Sequence, residues 1–263
     1  MRFGLVLALL VAATALVTVR STRRAVSLRS LRQLWSDAVR DADQPGMRLT
    51  RLSDAEEMRL GEELIGARGQ GWVEDADALG RIGRVAERLL PHVHRRGIGY
   101  QFHLLESDAI NAFALPGGQI LVTTGMMGFV QSDAELAETL GHEIAHVDLR
   151  HAVEHYQYQY RLGFLPELFH RLLTLPFSAD QEMDADAEGM RLAVEGGYDA
   201  AAGAALFERM RRELHEVEPE RPTTPAGEIV HSVGDAVVSY FRTHPPSEER
   251  ARRLRELAGR RAR

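Results

Sequence analysis

The chain has 263 residues, no cysteine and a formal net charge of −6, with 44% hydrophobic and 27% charged residues. This is the composition of an ordinary globular protein, with room for one large domain and short appendages. The absence of cysteine from the sequence excludes disulfides, thiolate metal ligands and a cysteine nucleophile. The charge gives no basic surface of the kind that binds nucleic acid, so we expect no nucleic-acid partner.

The sequence begins with an apolar segment, because residues 3–19 (FGLVLALLVAATALVTV) carry no charge and arginines follow directly. As a helix this segment would be about 25 Å long, slightly less than the roughly 30 Å of a bilayer core. We interpret it as a membrane anchor, and the alternative is the apolar part of a cleaved signal peptide. We therefore expect residues 1–24 to be an anchor or signal segment, 25–51 a linker with an amphipathic helix, and 52–260 the folded domain.

The next segments alternate between helical and extended patterns. Ser53 begins a capping box that predicts a helix towards Ala67, and residues 75–94 have apolar side chains at helical spacing. His92 and His94 follow that pattern's end and are predicted to be surface or capping residues. The predicted strands are 100–105, 109–115 and 119–123, with Pro116-Gly117-Gly118 as the turn between the last two.

A helix that begins after Ser132 carries His142-Glu143-Ile144-Ala145-His146, which has the metal-ligand pattern H-E-x-x-H. At 3.6 residues per turn, His142 and His146 lie about 40° apart around the axis, so both can bind one zinc ion. Glu143 is close enough to act as a general base without binding the metal. The alternative is a surface helix with two exposed histidines. Apolar residues nearly all round this helix argue for burial, and buried imidazoles need partners.

We predict that this helix continues to about Tyr156. On such a helix His151 would lie about 180° from His142 and point away from the metal. The aromatic and apolar residues between 156 and 177 are predicted to belong mainly to the core.

A zinc ion held by two histidines needs a third protein ligand. Ser178 is predicted to cap a helix over 179–195, in which Glu182 and Asp186 lie one turn apart. Glu182 suits the third ligand, and Asp186 suits an acceptor for a ligand imidazole. The alternative is a solvated acidic face, and spacing alone does not decide between the two.

Together these motifs resemble the gluzincin metallopeptidases of family forty-eight, which include type I CAAX prenyl proteases and bacterial membrane-associated quality-control proteases. The resemblance covers about Leu52 to Leu257. Further matching features are Asn111-Ala112-Phe113-Ala114-Leu115-Pro116-Gly117-Gly118, Gly197-Tyr198-Asp199, and Thr243-His244-Pro245-Pro246 with Arg250. The resemblance implies an α+β fold, a mainly helical zincin domain with a small β-sheet.

The resemblance also implies a site. One Zn²⁺ per chain would be bound by His142, His146 and Glu182. Glu143 would be the general base, and Asp186 would accept a hydrogen bond from a ligand histidine. It places His244 near the metal, where two roles are open. His244 stabilises the oxyanion, together with Arg250, or it occupies the open position on zinc and keeps the enzyme latent. We favour latency.

The function that the resemblance implies is a membrane-associated metalloendopeptidase that hydrolyses unfolded or misassembled proteins. The implied location is the bacterial cell envelope, with the chain anchored by residues 3–19 or periplasmic after signal cleavage. A single apolar segment, in place of the several of the prenyl proteases, argues against prenylated substrates. The alternative function is a chaperone-like protein of the same fold with a structural zinc, and the intact Glu143 argues against it.

Overall fold

A computed structural model of the chain describes residues 51–154, 177–213, 244 and 248–261. These residues belong to one compact unit that spans 42–216 and 237–263. The described helices are α1 (Asp54–Arg68), α2 (Ala76–Leu89), α3 (Thr124–Phe129), α4 (Asp133–Asp148), α5 (Ala179–Glu195), α6 (Ala200–Glu213) and α7 (Glu248–Arg261). The described strands are β1 (Gln101–Leu105), β2 (Ala112–Leu115) and β3 (Gln119–Thr123). The apolar segment 3–19 and the amphipathic segment before residue 51 lie outside the described residues.

Serine side chains begin three of the helices, as the sequence predicts. Ser53 and Glu56 form the capping box of α1, and Ser178 forms one with Gln181 at α5. At α4, the Ser132 hydroxyl accepts a hydrogen bond from the backbone amide of Glu135. Because these caps satisfy amides that have no partner within the helix, the local sequence is sufficient to fix where each helix starts.

The three strands form one sheet in the order β1-β3-β2. β1 is parallel to β3, whereas β2 is antiparallel to β3 and pairs Ala114 with Ile120. The turn between them has Gly117 at φ 74°, and a Cβ there would lie 2.5 Å from the carbonyl oxygen of Glu57. Glycine is therefore required both for the backbone conformation and for the close approach of α1.

The sheet leads to α4 through a short helix that the sequence analysis did not predict. The hydroxyl of Thr123 accepts a hydrogen bond from the amide of Met126 and so begins α3. α4 follows and is buried over almost its whole length, from Glu135 to Asp148. α5 packs closely on α4 where Gly141 faces Gly189. A Cβ on Gly141 would lie 2.7 Å from the carbonyl oxygen of Gly189, so only glycine permits this approach.

The predicted fold class is confirmed: the described chain is a mainly helical α+β domain with a small sheet. The predicted length of α4 is wrong, because α4 ends at Asp148 and Arg150 has the left-handed φ of 68°. Residues 151–154 then form a separate helical turn. Among the described residues, no helix has the length and apolar character required to cross a membrane.

Candidate metal centre

Four buried side chains converge where α4 meets α5. His142 and His146 come from α4, Glu182 comes from α5, and His244 precedes α7 in the chain. One ligand atom from each lies within 4.8 Å of the others. The three residues predicted as metal ligands are therefore brought together, and His244 joins them as a fourth.

The distances between these ligand atoms suit a single metal ion. Nε2 of His142 lies 3.1 Å from Nε2 of His146 and 3.1 Å from Nδ1 of His244. Oε1 of Glu182 lies 2.9 Å from Nδ1 of His244 and 3.7 Å from Nε2 of His146. Ligands about 2.0–2.2 Å from a tetrahedral zinc ion are roughly 3.3 Å apart, so imidazole and carboxylate groups at these positions fit zinc.

The carboxylates around His142 stabilise its charged form in the absence of a metal. Nδ1 of His142 lies 3.0 Å from Oδ1 of Asp186, the position predicted for Asp186. Burial alone would lower the pKa of His142, but Asp186 and Glu182 raise it to about 10. Burial and the charge of His142 lower the pKa of His146 well below its ordinary value. The pKa values of the two imidazoles are therefore shifted in opposite directions.

Glu143 is fully buried beside this cluster. Within the described part of the chain, neither of its carboxylate oxygens has a hydrogen bond of ordinary geometry. Nε2 of His244 lies 3.4 Å from Oε1 of Glu143. Burial raises the pKa of Glu143, and the nearby His244, His142 and backbone amide of Ala114 oppose this only in part. A buried carboxylate without a hydrogen bond of ordinary geometry is costly, so its position beside a candidate metal-ligand set indicates a chemical role.

His151 is where the sequence prediction is wrong. Because α4 ends at Asp148, the chain turns back and Nδ1 of His151 lies 3.2 Å from Nδ1 of His146. The ring of Phe177 stacks on His146 at a centroid distance of 3.8 Å. Helical periodicity placed His151 on the far side, and no local pattern signals the turn at residue 150.

A second group of possible ligands lies at the end of α4, formed by His94, Asp148 and Glu188. The Asp148 carboxylate accepts hydrogen bonds from the backbone amides of His94 and Arg95, and Glu188 is paired with Arg191. The His94 side chain is 64% exposed. These contacts account for the three side chains without a metal, and they agree with the prediction that His94 is a surface residue.

Arg250 lies in α7, and the position of its side chain is outside the described part of the structure. Its predicted partnership with His244 stays a prediction. The candidate site thus consists of the H-E-x-x-H helix, the buried Glu182 of a later helix, and His244.

A mainly helical domain with an H-E-x-x-H helix and a glutamate ligand on a second helix defines the zincin class of metallopeptidases. The chain belongs to Peptidase family M48, whose family model matches residues 78–169 and 159–258. The family depends on zinc, which bears out the predicted cofactor, and the predicted family is confirmed.

The chain is similar to several named relatives. It is 30% identical to the mitochondrial metalloendopeptidase OMA1 of Arabidopsis thaliana over 174 residues, which cover 61% of this chain and 32% of the relative. It is 29% identical to the mitochondrial metalloendopeptidase OMA1 of Schizosaccharomyces pombe over 190 residues, covering 66% and 51%. It is 25% identical to the beta-barrel assembly-enhancing protease of Escherichia coli (strain K12) over 186 residues, covering 60% and 38%.

The predicted enzyme class, a metalloendopeptidase, is confirmed by the family and by the names of these relatives. The substrates of such proteases are proteins. The aligned part spans about a third to a half of the length of these relatives. The predicted location in a bacterial cell envelope is wrong, since the relatives in plants, yeast and vertebrates are mitochondrial proteins. The physical reason is that an apolar segment followed by arginines indicates a membrane without identifying which one.

Proposed function

We propose that this chain is a zinc-dependent endopeptidase in which Glu143 is the general base. The observation that carries the proposal is the buried Glu143 carboxylate, which lies beside the cluster of His142, His146 and Glu182 and accepts no hydrogen bond of ordinary geometry from the described residues. A general base must keep a lone pair available for the proton that it takes. A carboxylate already bound to donors does not meet that need.

The metal would be held by His142, His146 and Glu182, with Asp186 fixing the ring of His142 from behind. When bound, zinc polarises the scissile carbonyl and makes a water molecule in the site more acidic. Glu143 takes a proton from the attacking water and then donates it to the amine that leaves.

The edge strand β2 supports a substrate bound in extended form. β2 pairs with β3 along one side only in the described sheet, and its residue Ala114 has its backbone amide near Glu143. A peptide that adds to such an edge as a further strand uses backbone hydrogen bonds and so places a peptide bond near the base. This arrangement accepts chain segments that are already extended.

We therefore propose unfolded or misassembled proteins as the substrates. Folded domains generally protect their strand edges from such pairing, whereas unfolded segments are free to adopt the extended form. Residues 3–19 are proposed to tether the chain to a membrane, with 25–51 as the linker and 52–260 as the catalytic domain.

His244 is proposed to occupy the fourth position on the metal and to keep the enzyme latent. Its Nδ1 lies within 3.1 Å of His142 Nε2 and 2.9 Å of Glu182 Oε1, which is the geometry of a fellow ligand. A catalytic zinc needs one open position for water, so a fourth protein ligand must withdraw before turnover. His244 would then move away from the metal when substrate binds.

A four-ligand set is also the mark of a structural zinc, and this favours a second candidate function. In that case the chain binds unfolded clients without cutting them. Glu143 distinguishes the two candidates, because a client-binding protein has no use for a base at this position.

The test is a casein digestion assay combined with elemental analysis of zinc. Wild type, Glu143→Gln, His244→Ala and the double variant should all contain close to one zinc per chain. Glu143→Gln should lower kcat about 10²–10⁴-fold relative to wild type if wild type cleaves casein. If only His244→Ala cleaves casein, the double variant should show the same loss relative to His244→Ala. Equal cleavage with and without Glu143 refutes the proposed base, and zinc loss in folded Glu143→Gln makes Glu143 a ligand instead. Bound zinc without cleavage in any variant supports the client-binding function.

A further inference from the structure

We propose that His151 is a positioning residue for the metal centre. Its Nδ1 accepts a hydrogen bond from the Nδ1–H of His146 and holds that imidazole with Nε2 directed at the other ligands. The two nitrogens lie 3.2 Å apart, and both residues are buried. This inference rests on the proposed zinc site and adds a residue to it.

The two ligand histidines of α4 then have equivalent support. His142 has Nε2 towards the cluster and Nδ1 at 3.0 Å from Asp186. His146 has Nε2 towards the cluster and Nδ1 at 3.2 Å from His151. A metal-binding histidine generally donates its second N–H to a fixed acceptor, which sets both its tautomer and its orientation. Asp186 supplies that acceptor for one ring and His151 for the other.

The contact between two imidazoles restricts the position of the hydrogen atoms. One hydrogen lies between the two Nδ1 atoms, so one ring donates and the other accepts. When His146 is the donor, its Nε2 carries a lone pair that is available to the metal. His151 must then carry its own hydrogen on Nε2. A neutral acceptor also adds no charge to a site that already contains the carboxylates of Glu143, Glu182 and Asp186.

A left-handed residue brings His151 into this position. Arg150 has a φ of 68°, a conformation that is strained for any residue other than glycine. Its guanidinium group donates to the carbonyl oxygen of Leu52 at 2.8 Å and to Asp54 at 3.4 Å, and it lies 3.7 Å from Glu57. These contacts with the start of α1 hold the turn, after which residues 151–154 resume a helical path.

Phe177 completes the orientation of His146. Its ring is nearly parallel to the imidazole, with an interplanar angle of 16°. Stacking on Phe177 restricts tilting of the ring, and the hydrogen bond to His151 restricts rotation within the ring plane. His146 is therefore oriented before a metal arrives, which is the condition for tight binding.

The first experiment measures zinc affinity by competition with a chelator in His151→Leu and His151→Asn. Leucine removes the acceptor at similar size, whereas the Asn side-chain oxygen restores an acceptor near the position of Nδ1. His151→Leu should bind zinc about 10–100-fold more weakly, and His151→Asn should recover most of that loss. The matched control is His103→Leu, since His103 is also hydrogen-bonded, to Gln119, and lies away from the cluster. Wild-type affinity in His151→Leu, or equal losses in the two His151 variants, overturns the proposal.

The second experiment compares Arg150→Gly with Arg150→Ala, two variants that both lack the guanidinium group. Glycine adopts φ near 68° without strain, so Arg150→Gly should retain more zinc affinity than Arg150→Ala. Equal affinity in the two variants would show that the left-handed turn does not place His151. Thermal unfolding of the metal-free proteins, which does not depend on activity, establishes that each variant is folded. Absence of zinc from wild type refutes the proposed function itself, whereas wild-type affinity in His151→Leu refutes only this inference.

Discussion

Two buried glutamates on helix α4 have opposite environments. The Glu135 carboxylate accepts hydrogen bonds from the guanidinium nitrogens of Arg209 at 2.6 and 2.7 Å and from the amide of Gln131 at 2.7 Å. Burial opposes ionisation, yet Arg209 and Gln131 hold the pKa of Glu135 below its usual value. Glu143, two turns further on, accepts no hydrogen bond of ordinary geometry from the described residues, and burial raises its pKa.

The difference separates a structural carboxylate from a chemical one. Burial of a charged group is tolerated when donors replace the lost water, as they do at Glu135. At Glu143 the same cost is offset only in part, by His244, His142 and the backbone amide of Ala114, so the residue lowers the stability of the free protein. Residues of this kind persist where an active site requires them. The comparison predicts that exchanges around Glu135 change stability and exchanges around Glu143 change activity.

The largest effect should follow from Arg209→Met. This variant leaves the Glu135 carboxylate buried without its counter-charge, and we expect a loss of about 3–5 kcal/mol in the free energy of unfolding. Glu143→Gln should leave stability unchanged or increase it, since it removes an unsatisfied charge. Denaturant titration of the metal-free proteins measures both. The control is Arg212→Met, because Arg212 is an exposed residue of α6, the helix that carries Arg209. A similar loss of unfolding free energy in Arg212→Met would show that the Glu135–Arg209 pair makes no particular contribution.

His244→Ala tests the surroundings of Glu143 directly, because Nε2 of His244 lies 3.4 Å from Oε1 of Glu143. If His244 occupies the fourth position on the metal, the variant should cleave casein faster than wild type. If it stabilises the oxyanion instead, kcat should fall by about 10²–10³-fold. We expect the increase, because the short contact with Glu182 places His244 among the ligands. Unchanged casein cleavage would refute both roles.

The next prediction compares zinc affinity in Glu182→Gln, which changes a carboxylate of the site, and in Asp184→Asn, which changes a carboxylate nearby on the same helix. Glu182 is buried among the ligands, whereas Asp184 is an exposed residue of the same helix. Substitution of a residue that only hydrogen-bonds to a metal ligand typically weakens metal binding by about 10–100-fold. Loss of the Glu182 charge, which is proposed to contact the metal directly, should weaken zinc binding by at least that much. The Asp184 variant should bind zinc as wild type does, because solvent screens its charge. Chelator competition decides, and equal affinities would mean that the third ligand is another residue.

The smallest effect is the acid sensitivity of the Glu135–Arg209 pair. Since the pKa of Glu135 is lowered on folding from a usual value near 4.5, the unfolded chain binds its proton more readily. The contribution of the pair to stability is therefore complete above about pH 4.5 and is lost as the pH falls through the folded-state pKa. The stability difference between wild type and Arg209→Met should narrow between pH 6 and roughly pH 3. A constant difference over that range would show that ionisation of Glu135 does not contribute.

The parts of the site that follow from helix geometry could be predicted from the sequence. The spacing of His142 and His146 on one helix predicted that they share a face. Spacing likewise put Glu182 and Asp186 on one face of another helix, but it was the family resemblance that assigned these two to the site. The structure places all four near one another. Serine caps likewise marked the starts of α4 and α5. In each case the information lies within a few residues of the feature.

The parts that depend on distant contacts could not be predicted. The end of α4 depends on Arg150, whose guanidinium group contacts Leu52 and Asp54 at the far end of the described chain. Periodicity therefore carried the helix too far and placed His151 on the wrong side. The lack of a hydrogen bond of ordinary geometry to Glu143 likewise depends on where β2 and His244 pack, which no local pattern encodes.

Gly141 and Gly189 give the metal centre its dimensions, although neither has a side chain. A Cβ on Gly189 would lie 2.7 Å from the amide nitrogen of His142, and one on Gly141 would meet the backbone of Gly189. The width of the gap between His142 and Glu182 is thus set by direct backbone contact between their two helices. An added methyl group at either glycine would force the two helices apart, and His142 and Glu182 with them. The spacing of these candidate ligands is determined in part by two residues that contribute no ligand atom.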